Sequence, residues 1–489
     1  MRLNELIYKD EAVTITNDSN PHISSVTFDS RDVAEDSLFV AIKGSVSDGH
    51  DYIKQAIENG ATAVLCEKMP VGLADNNRNH PVTIIQTESS HKMLGLVSSR
   101  FYGNPSSKMK VVGITGTNGK TTTVTLLYNL FTSLGYICGL ISTIDNYVGT
   151  RRYPSTHTTP DPLSLNKLMF EMNKQGCEFC FMEVSSHALD QDRVCGIKFE
   201  GALFSNITHD HLDYHKDFLS YINAKKKLFD NLPSSSFALV NIDDRNGKTM
   251  VQNCNANTYT YSCLSHANFN CKVIESTLEG MLMKIGTHDV WAKFIGLHNA
   301  YNLLAVYSTA ILLGGDQQEV LTALSALENV AGRLEYIKGA NDITAVVDYA
   351  HTPDALSNVL RTLKEVSTDT QLVTVFGCGG NRDKSKRPEM ARVSARYSDK
   401  IIVTSDNPRF EDPDEIIKEI KTGFENKELV KTLFITDRRE AIKAALTMAS
   451  PGAIVLVAGK GHETYQDVKG VKEHFDDKEE INNVFNLMS

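Results

Sequence analysis

Apolar residues in this chain come in short β-branched runs separated by longer stretches with helical spacing, the alternation that parallel α/β sheets produce. Up to about residue 102 the strand signals fall at 25–28, 38–42, 63–66 and 82–86, with helical patterns at 52–59 and 91–101. Gly103-Asn-Pro-Ser-Ser107 then reads as a linker. From Lys108 to about Gly332 strands and helices alternate again. The last third is the cleanest, with strands at 343–347, 372–376, 400–404, 432–435 and 453–458 and helical stretches such as 414–424 and 438–448. That pattern predicts a doubly wound domain whose ligands meet the carboxyl ends of its strands. The expected fold class is therefore α/β, in three units at 1–107, 108–332 and 333–489. A length of 489 residues agrees, at about 150 residues per domain.

Composition narrows the function classes. Fifty basic and sixty acidic residues leave a net charge of −10, which repels nucleic acid and anionic membrane surfaces over long range. Small anions remain admissible wherever loops and metal ions receive them. The most apolar stretch, 303–313, is shorter than the roughly 20 residues of a membrane span. The opening Met1-Arg-Leu-Asn-Glu-Leu-Ile-Tyr-Lys carries charges where a secretory signal would be apolar. Nine cysteines without a framework suit a reducing, cytoplasmic setting, and Cys177 and Cys180 alternate as in a buried strand.

The strongest chemical signal is Val111-Val-Gly-Ile-Thr-Gly-Thr-Asn-Gly-Lys-Thr-Thr-Thr123. A strand-like run (110–115) breaks into Gly116-Thr117-Asn118-Gly119-Lys120-Thr121, and a helix-forming run follows at 122–130. Glycines let backbone N–H groups converge on phosphate, a lysine reaches the outer phosphates, and a threonine hydroxyl helps hold Mg²⁺. The usual pattern has glycine at position 114, where this chain has Ile114. Glu183 ends a second strand-like run (179–182), as a carboxylate partner of nucleotide-bound Mg²⁺ should. Thr208-His-Asp-His-Leu-Asp-Tyr-His215 approaches a zinc-hydrolase motif, but His215 comes one residue late, so a single histidine on a second Mg²⁺ fits better. Ala224-Lys-Lys-Lys-Leu-Phe229 reads by composition as a solvated basic stripe for all three lysines.

Seven segments then occur in order: Thr115–Thr122, Glu183-Val-Ser-Ser, Asn206–Asp213, Tyr221-Ile-Asn-Ala-Lys225, Gly296–Asn302, Gly332-Arg-Leu-Glu335 and Val347–Pro353. This series resembles the Mur ligases, ATP-dependent amino-acid-adding enzymes of peptidoglycan synthesis, over essentially the whole chain. The resemblance implies an N-terminal uridine-nucleotide-binding domain, a central P-loop ATPase-type domain and a C-terminal Rossmann-like domain. It implies ATP binding by Thr115–Thr121, with Asn299, Asn302, Arg333 and Asp348 on the nucleotide and His351 entering as a catalytic candidate beside Lys120. It places Mg²⁺ on Thr121, Glu183, His211 and Lys225, the last carrying a CO₂-derived carbamate that turns an ammonium into an anionic ligand. Lys226 and Lys227 stay on the surface reading. Ser30, Thr158, Thr159, Ser185, Gln191 and Arg193 match positions holding a uridine-linked muramoyl peptide.

Asp406-Asn407-Pro408-Arg409 resembles the signature of relatives that add meso-diaminopimelate as the third residue, with Arg382, Gly459 and Glu463 around the same amino acid. Diaminopimelate differs from lysine by one distal carboxylate, which a guanidinium takes in a two-pronged contact. Facing lysine instead, Arg409 would meet an ammonium and repel it. The implied reaction forms an acyl phosphate at the D-glutamyl γ-carboxylate, which the amine of diaminopimelate then attacks. Domain closure would bring the substrates together in a monomer. Folylpolyglutamate synthetase is the rival ligase, although its phosphate loop usually begins much nearer the N-terminus. A non-catalytic nucleotide binder is the rival from another class.

Overall fold

A computed structural model describes residues 1–8, 11–44, 47–69, 82–208, 210 and 212–488. Three large sheets follow one another along the chain. The first has five strands in the order Val13–Thr16, Thr83–Thr87, Ala61–Cys66, Ser37–Val40, Ser25–Thr27. Four run parallel; the Val13–Thr16 edge, which the apolar pattern did not reveal, pairs antiparallel.

The central sheet has eleven strands, and its interior is the expected parallel array. Phe179–Glu183 and Gly201–Phe204 flank Lys110–Thr115 in parallel register, so all three deliver their carboxyl ends to one edge. Simple alternation does not hold throughout, however. Both flanks are antiparallel meanders: Cys138–Ile141 continues through Asp145–Val148 into Arg151–Pro154, and Phe269–Thr277 through Gly280–Ile285 into His288–Ala292. Hairpin turns at Gly149 (φ +58) and Gly286 (φ +59) explain this, since turns this short cannot carry a parallel crossover.

The third sheet runs Glu335–Lys338, Thr344–Asp348, Ile454–Ala458, Leu372–Phe376, Lys400–Val403, Thr432–Phe434, and all but the first strand are parallel. The parallel strand that comes last in sequence, Ile454–Ala458, inserts between the first two, and helices cover both faces through separate apolar layers. That is the doubly wound arrangement, with its crevice where the strand order reverses. Cys177 and Cys180 are buried in the central core, as their alternation predicted. Among the described residues no helix is long and apolar enough to cross a membrane.

Candidate active site

Strand Lys110–Thr115 enters the loop Gly116–Gly119 and leaves it as helix Lys120–Ser133, two residues earlier than the apolar pattern suggests. Gly116 (φ +154) and Gly119 (φ +87) adopt backbone angles that a side chain would strain. A Cβ at Gly116 would lie 1.9 Å from Ser205 Oγ, and one at Gly119 2.5 Å from Asn302 Oδ1. Ile114 is harmless at its position because it is still inside the strand, buried in the core. Thr115 is buried at the strand's end. Lys120 Nζ donates to the carbonyls of Gly116 and Thr117, both at 2.9 Å. The Thr117 hydroxyl lies 3.1 Å from that of Tyr221. Asn118 donates its backbone N–H to Asn206 Oδ1 (2.9 Å) and its side-chain amide to Asp354 Oδ2 (2.8 Å), on the first turn of a helix from the third sheet. The loop thus presents a helix N-terminus to an anion.

Behind the loop, Glu183 Oε1 accepts from the Thr121 hydroxyl (2.9 Å) and the Thr143 N–H (2.7 Å). Its other oxygen, Oε2, is buried without a hydrogen-bond partner among the described residues. A buried carboxylate oxygen left so, beside a threonine hydroxyl at a phosphate cradle, fits a hard divalent cation. Asp210 and Glu183 line one cavity, while His211 lies outside the described residues.

The basic stripe on helix Phe218–Asp230 departs from the composition reading. Lys225 is 1 % exposed, donates to the Gly116 carbonyl at 2.7 Å and stands 4.5 Å from the Tyr221 ring centre. Burial, reinforced by the nearby Lys120 charge, holds its amine well below the usual lysine range. Lys226 is also buried (8 % exposed) and pairs with Asp230, so the surface reading fails for it. Only Lys227 keeps much of its side chain in solvent. The apolar face of this helix is wide enough to draw in lysine stems, and each buried head finds an oxygen at its end.

One cavity of about 270 Å³ runs from this loop to the carboxyl ends of the third sheet. Thr158 and Ser185 line its middle; Thr158 Oγ1 accepts from Thr143 Oγ1 at 3.0 Å. Thr159 is buried beneath and donates to the Glu183 carbonyl (2.8 Å). Arg193 reaches the Thr159 carbonyl (2.9 Å) and is held by Gln191 Oε1 at 2.7 and 3.0 Å. These positions therefore form one connected group. At the far end stand Arg382, Asp406, Asn407, Arg409, Gly459 and Glu463, with Pro408 inside the same turn. Burial pushes Asp406 up, but Lys460 and Arg438 outweigh it and hold the carboxyl below its ordinary range. Glu463 is pushed up by burial and by Asp406. Gly459 (φ +116) is required here, since a Cβ would lie 2.6 Å from Asp406 Oδ2.

A second cavity, about 290 Å³, lies on the other side of Arg333 and shares Asn118, Gly119 and Arg333 with the first. Asn299, Asn302 and Asp348 line it. Asn302 donates to Asn299 Oδ1 (3.1 Å), and Asp348 accepts from the N–H groups of Leu334 and Ala350, both at 2.8 Å. His351 opens instead on the first cavity, its Nδ1 2.9 Å from the Tyr349 carbonyl. Burial and the Lys386 charge bring its proton affinity down to about 4, so it is neutral near pH 7 and a weak base. Ser30 lies apart, in a first-sheet cleft of about 610 Å³, 3.4 Å from Gln55 Oε1.

Residues 22–102, 114–310 and 332–461 match, in turn, the family descriptions "Mur ligase family, catalytic domain", "Mur ligase middle domain" and "Mur ligase, glutamate ligase domain". Over 478 residues the chain is 52% identical to a Cytophaga hutchinsonii protein named UDP-N-acetylmuramoyl-L-alanyl-D-glutamate--2,6-diaminopimelate ligase, covering 98% of each. The chain belongs to the Mur ligase family. A Bacteroides fragilis Mur ligase of the same name is 51% identical over 488 residues, covering 100% of both. A solved structure titled with that name aligns at TM-score 0.67 and 32% identity over 95% of each chain.

Sequence reasoning passed over several residues that line this Mur ligase's reaction cavity. Asp210 stood unassigned inside the histidine-rich string, and Tyr349 inside the Val347–Pro353 segment. Lys386, which donates to the His351 carbonyl at 3.0 Å, belongs to no quoted motif. Lys460 does not line the cavity but lies fully buried beneath it beside Asn407 Oδ1 (3.1 Å), and gave no signal beyond its neighbours Gly459 and Glu463.

Proposed function

We propose that this Mur ligase uses ATP to join meso-2,6-diaminopimelate, through its amine, to the D-glutamyl γ-carboxylate of UDP-N-acetylmuramoyl-L-alanyl-D-glutamate. One observation carries the reading: a single cavity links the phosphate loop to a pocket holding Arg382, Arg409, Asp406 and Glu463. The names of the relatives at about half identity over the full chain support the same substrates.

Each residue set takes a role. Thr115–Thr121 cradle the ATP phosphates, while Asn299, Asn302, Arg333 and Asp348 receive the nucleoside side. Ser30 contacts the uridine end of the acceptor, and Thr158, Thr159, Ser185, Gln191 and Arg193 hold its peptide. Glu183 and Thr121 would hold Mg²⁺, with His211 and a carbamate on Lys225 as the further ligands. Bound there, Mg²⁺ would neutralise phosphate charge. Burial, with the nearby Lys120 charge, lowers the proton affinity of Lys225, which favours the free amine that CO₂ requires.

Lys120 stabilises charge on the phosphoryl group as it passes to the γ-carboxylate. The acyl phosphate then faces the far end of the cavity. Arg409 and Arg382 bind the distal carboxylate of diaminopimelate, and Asp406 and Glu463 balance its ammonium. The amine attacks the acyl carbon and phosphate leaves. His351 faces this space as the catalytic candidate beside Lys120, its Nδ1 2.9 Å from the Tyr349 carbonyl. The three units 1–107, 108–332 and 333–489 act as acceptor-binding, nucleotide-binding and amino-acid-binding domains of a cytoplasmic monomer.

Folylpolyglutamate synthesis is not favoured, because the whole-chain relatives carry the diaminopimelate name and a five-stranded sheet precedes the phosphate loop. A non-catalytic binder would have no use for an amine buried against that loop. The test is ADP release coupled to product formation, with the nucleotide dipeptide and a panel of diamino acids. Dependence on all three substrates with diaminopimelate preferred is expected; preference for L-lysine, or ADP release indifferent to the acceptor, overturns the reading.

A further inference from the structure

The hairpin Tyr465–Val468/Val471–His474 forms a separate two-stranded sheet beside the third domain's crevice. None of its strand residues is buried, so it serves no core of its own. A two-stranded ribbon of this kind is marginal by itself. Its inner strand is instead bonded to the turn that follows strand Lys400–Val403. Gln466 Nε2 donates to the Asp406 carbonyl (2.6 Å) and to Ser405 Oγ (3.1 Å). The Asp467 N–H donates to Asn407 Oδ1 (3.0 Å) and its carbonyl accepts from the Arg409 N–H (2.9 Å). The Lys469 N–H then donates to the Arg409 carbonyl at 2.6 Å.

Arg409 sits at φ +51, a left-handed backbone that an arginine adopts only when its surroundings impose it. The two backbone bonds to Asp467 and Lys469 supply that constraint on one side. On the other, Arg409 Nη1 donates to the Gly380 carbonyl at 2.8 Å. Without them the residue would relax to negative φ and swing its guanidinium away from the cavity.

We infer that this hairpin is the jig that sets the amino-acid specificity of the ligase, with Gln466 as a positioning residue that fixes the Asp406–Arg409 turn without touching substrate. The inference rests on the proposed diaminopimelate reading and adds a residue to it. Gln466 acts through the Asp406 carbonyl, and so on the direction of the Asp406 carboxylate and of Arg409 three residues later.

The test uses the full-length enzyme and two variants. Gln466→Ala removes both side-chain bonds; Gln466→Glu keeps the shape and loses the donor to Asp406. Both are expected to raise the KM for diaminopimelate about tenfold, the loss of one or two hydrogen bonds. The KM values for ATP and the nucleotide dipeptide should stay within about twofold, as those ligands meet other walls of the cavity. The kcat/KM ratio of diaminopimelate to lysine should fall in both variants. Unchanged diaminopimelate KM, or equal increases for all three substrates, overturns the inference. Should Gln466→Ala fail to fold, hydrogen exchange on the wild-type enzyme decides: the Arg409, Asp467 and Lys469 amides should be protected together and gain protection with diaminopimelate, and independent exchange of the three refutes the jig. A wild-type enzyme that ignores diaminopimelate altogether refutes the function itself, a separate outcome.

Discussion

The two ends of the reaction cavity are built on different principles. At the phosphate end six consecutive residues, Gly116–Thr121, form the proposed cradle, a loop shaped by two positive-φ glycines and the start of a helix. At the amino-acid end the polar groups come from the turns after four parallel strands of the third sheet. Arg382 follows one strand, Asp406–Arg409 another and Gly459–Glu463 a third, with Tyr349 and His351 on a fourth. A cradle of backbone recognises what every nucleoside triphosphate shares. A pocket of side chains from separate segments, in the reading proposed above, is suited to one amino acid, and its selectivity would be open to change by remote supports.

That contrast makes the phosphate end the place where substitution is most damaging. Lys120→Ala should lower kcat by about 1,000-fold or more with every amino acid offered, as removal of a transition-state charge partner does; near-normal turnover in the coupled assay would mean the loop serves another purpose. Lys225→Ala should cost roughly 100-fold, with partial rescue by added short carboxylic acids that restore a ligand oxygen. A rate indifferent to the substitution would detach Lys225 from the phosphate end. At the other end, Arg409→Ala should raise the KM for diaminopimelate about 30-fold and leave that for ATP unchanged, the value of a charge-assisted contact. Parallel changes in both constants would erase the distinction between the two ends.

The smallest effect concerns what stands under the amino-acid end. Arg387, fully buried, grips both Glu411 oxygens at 3.0 and 3.1 Å, and these bonds hold the Glu411 carboxyl at about 2 against an ordinary 4.5. A carboxyl with a depressed folded-state value contributes stability above its unfolded value, and that contribution is lost as pH falls through the folded one. Glu411→Gln should therefore cost about 1 kcal/mol at neutral pH. Its melting temperature should converge on the wild type's between about pH 4.5 and pH 2. A constant gap across that window would show that the pair is not what anchors this turn.

Much of this was readable from residues alone, and the reason is locality. The phosphate loop, Glu183 at its strand end and the parallel strands of the last third are short-range patterns, and each lies where its pattern placed it. Ile114 breaks the usual glycine spacing, yet the backbone conformation that matters belongs to Gly116. The central sheet's flanking meanders escaped because their strands are only half apolar, with one face toward solvent. Lys226 and Lys225 escaped a composition reading because lysine burial depends on which oxygens lie at the end of its stem. The hairpin at 465–474 escaped for a related reason: its partners lie some 60 positions away along the chain, as Gln466 to Asp406 illustrates.

The bond between Asn118 and Asp354 joins the phosphate loop to a helix 236 residues further along. Cutting the polypeptide at the boundary near Gly332 would thus leave the Asn118 amide without its acceptor on one fragment and Asp354 with only Asn358 on the other, with Arg333 separated from half of each chamber it divides. Neither fragment would own the whole of the cavity proposed to take the nucleotide. Activity should return only when the pieces re-associate, so the molecule's two larger sheets are best regarded as halves of one machine rather than as interchangeable modules.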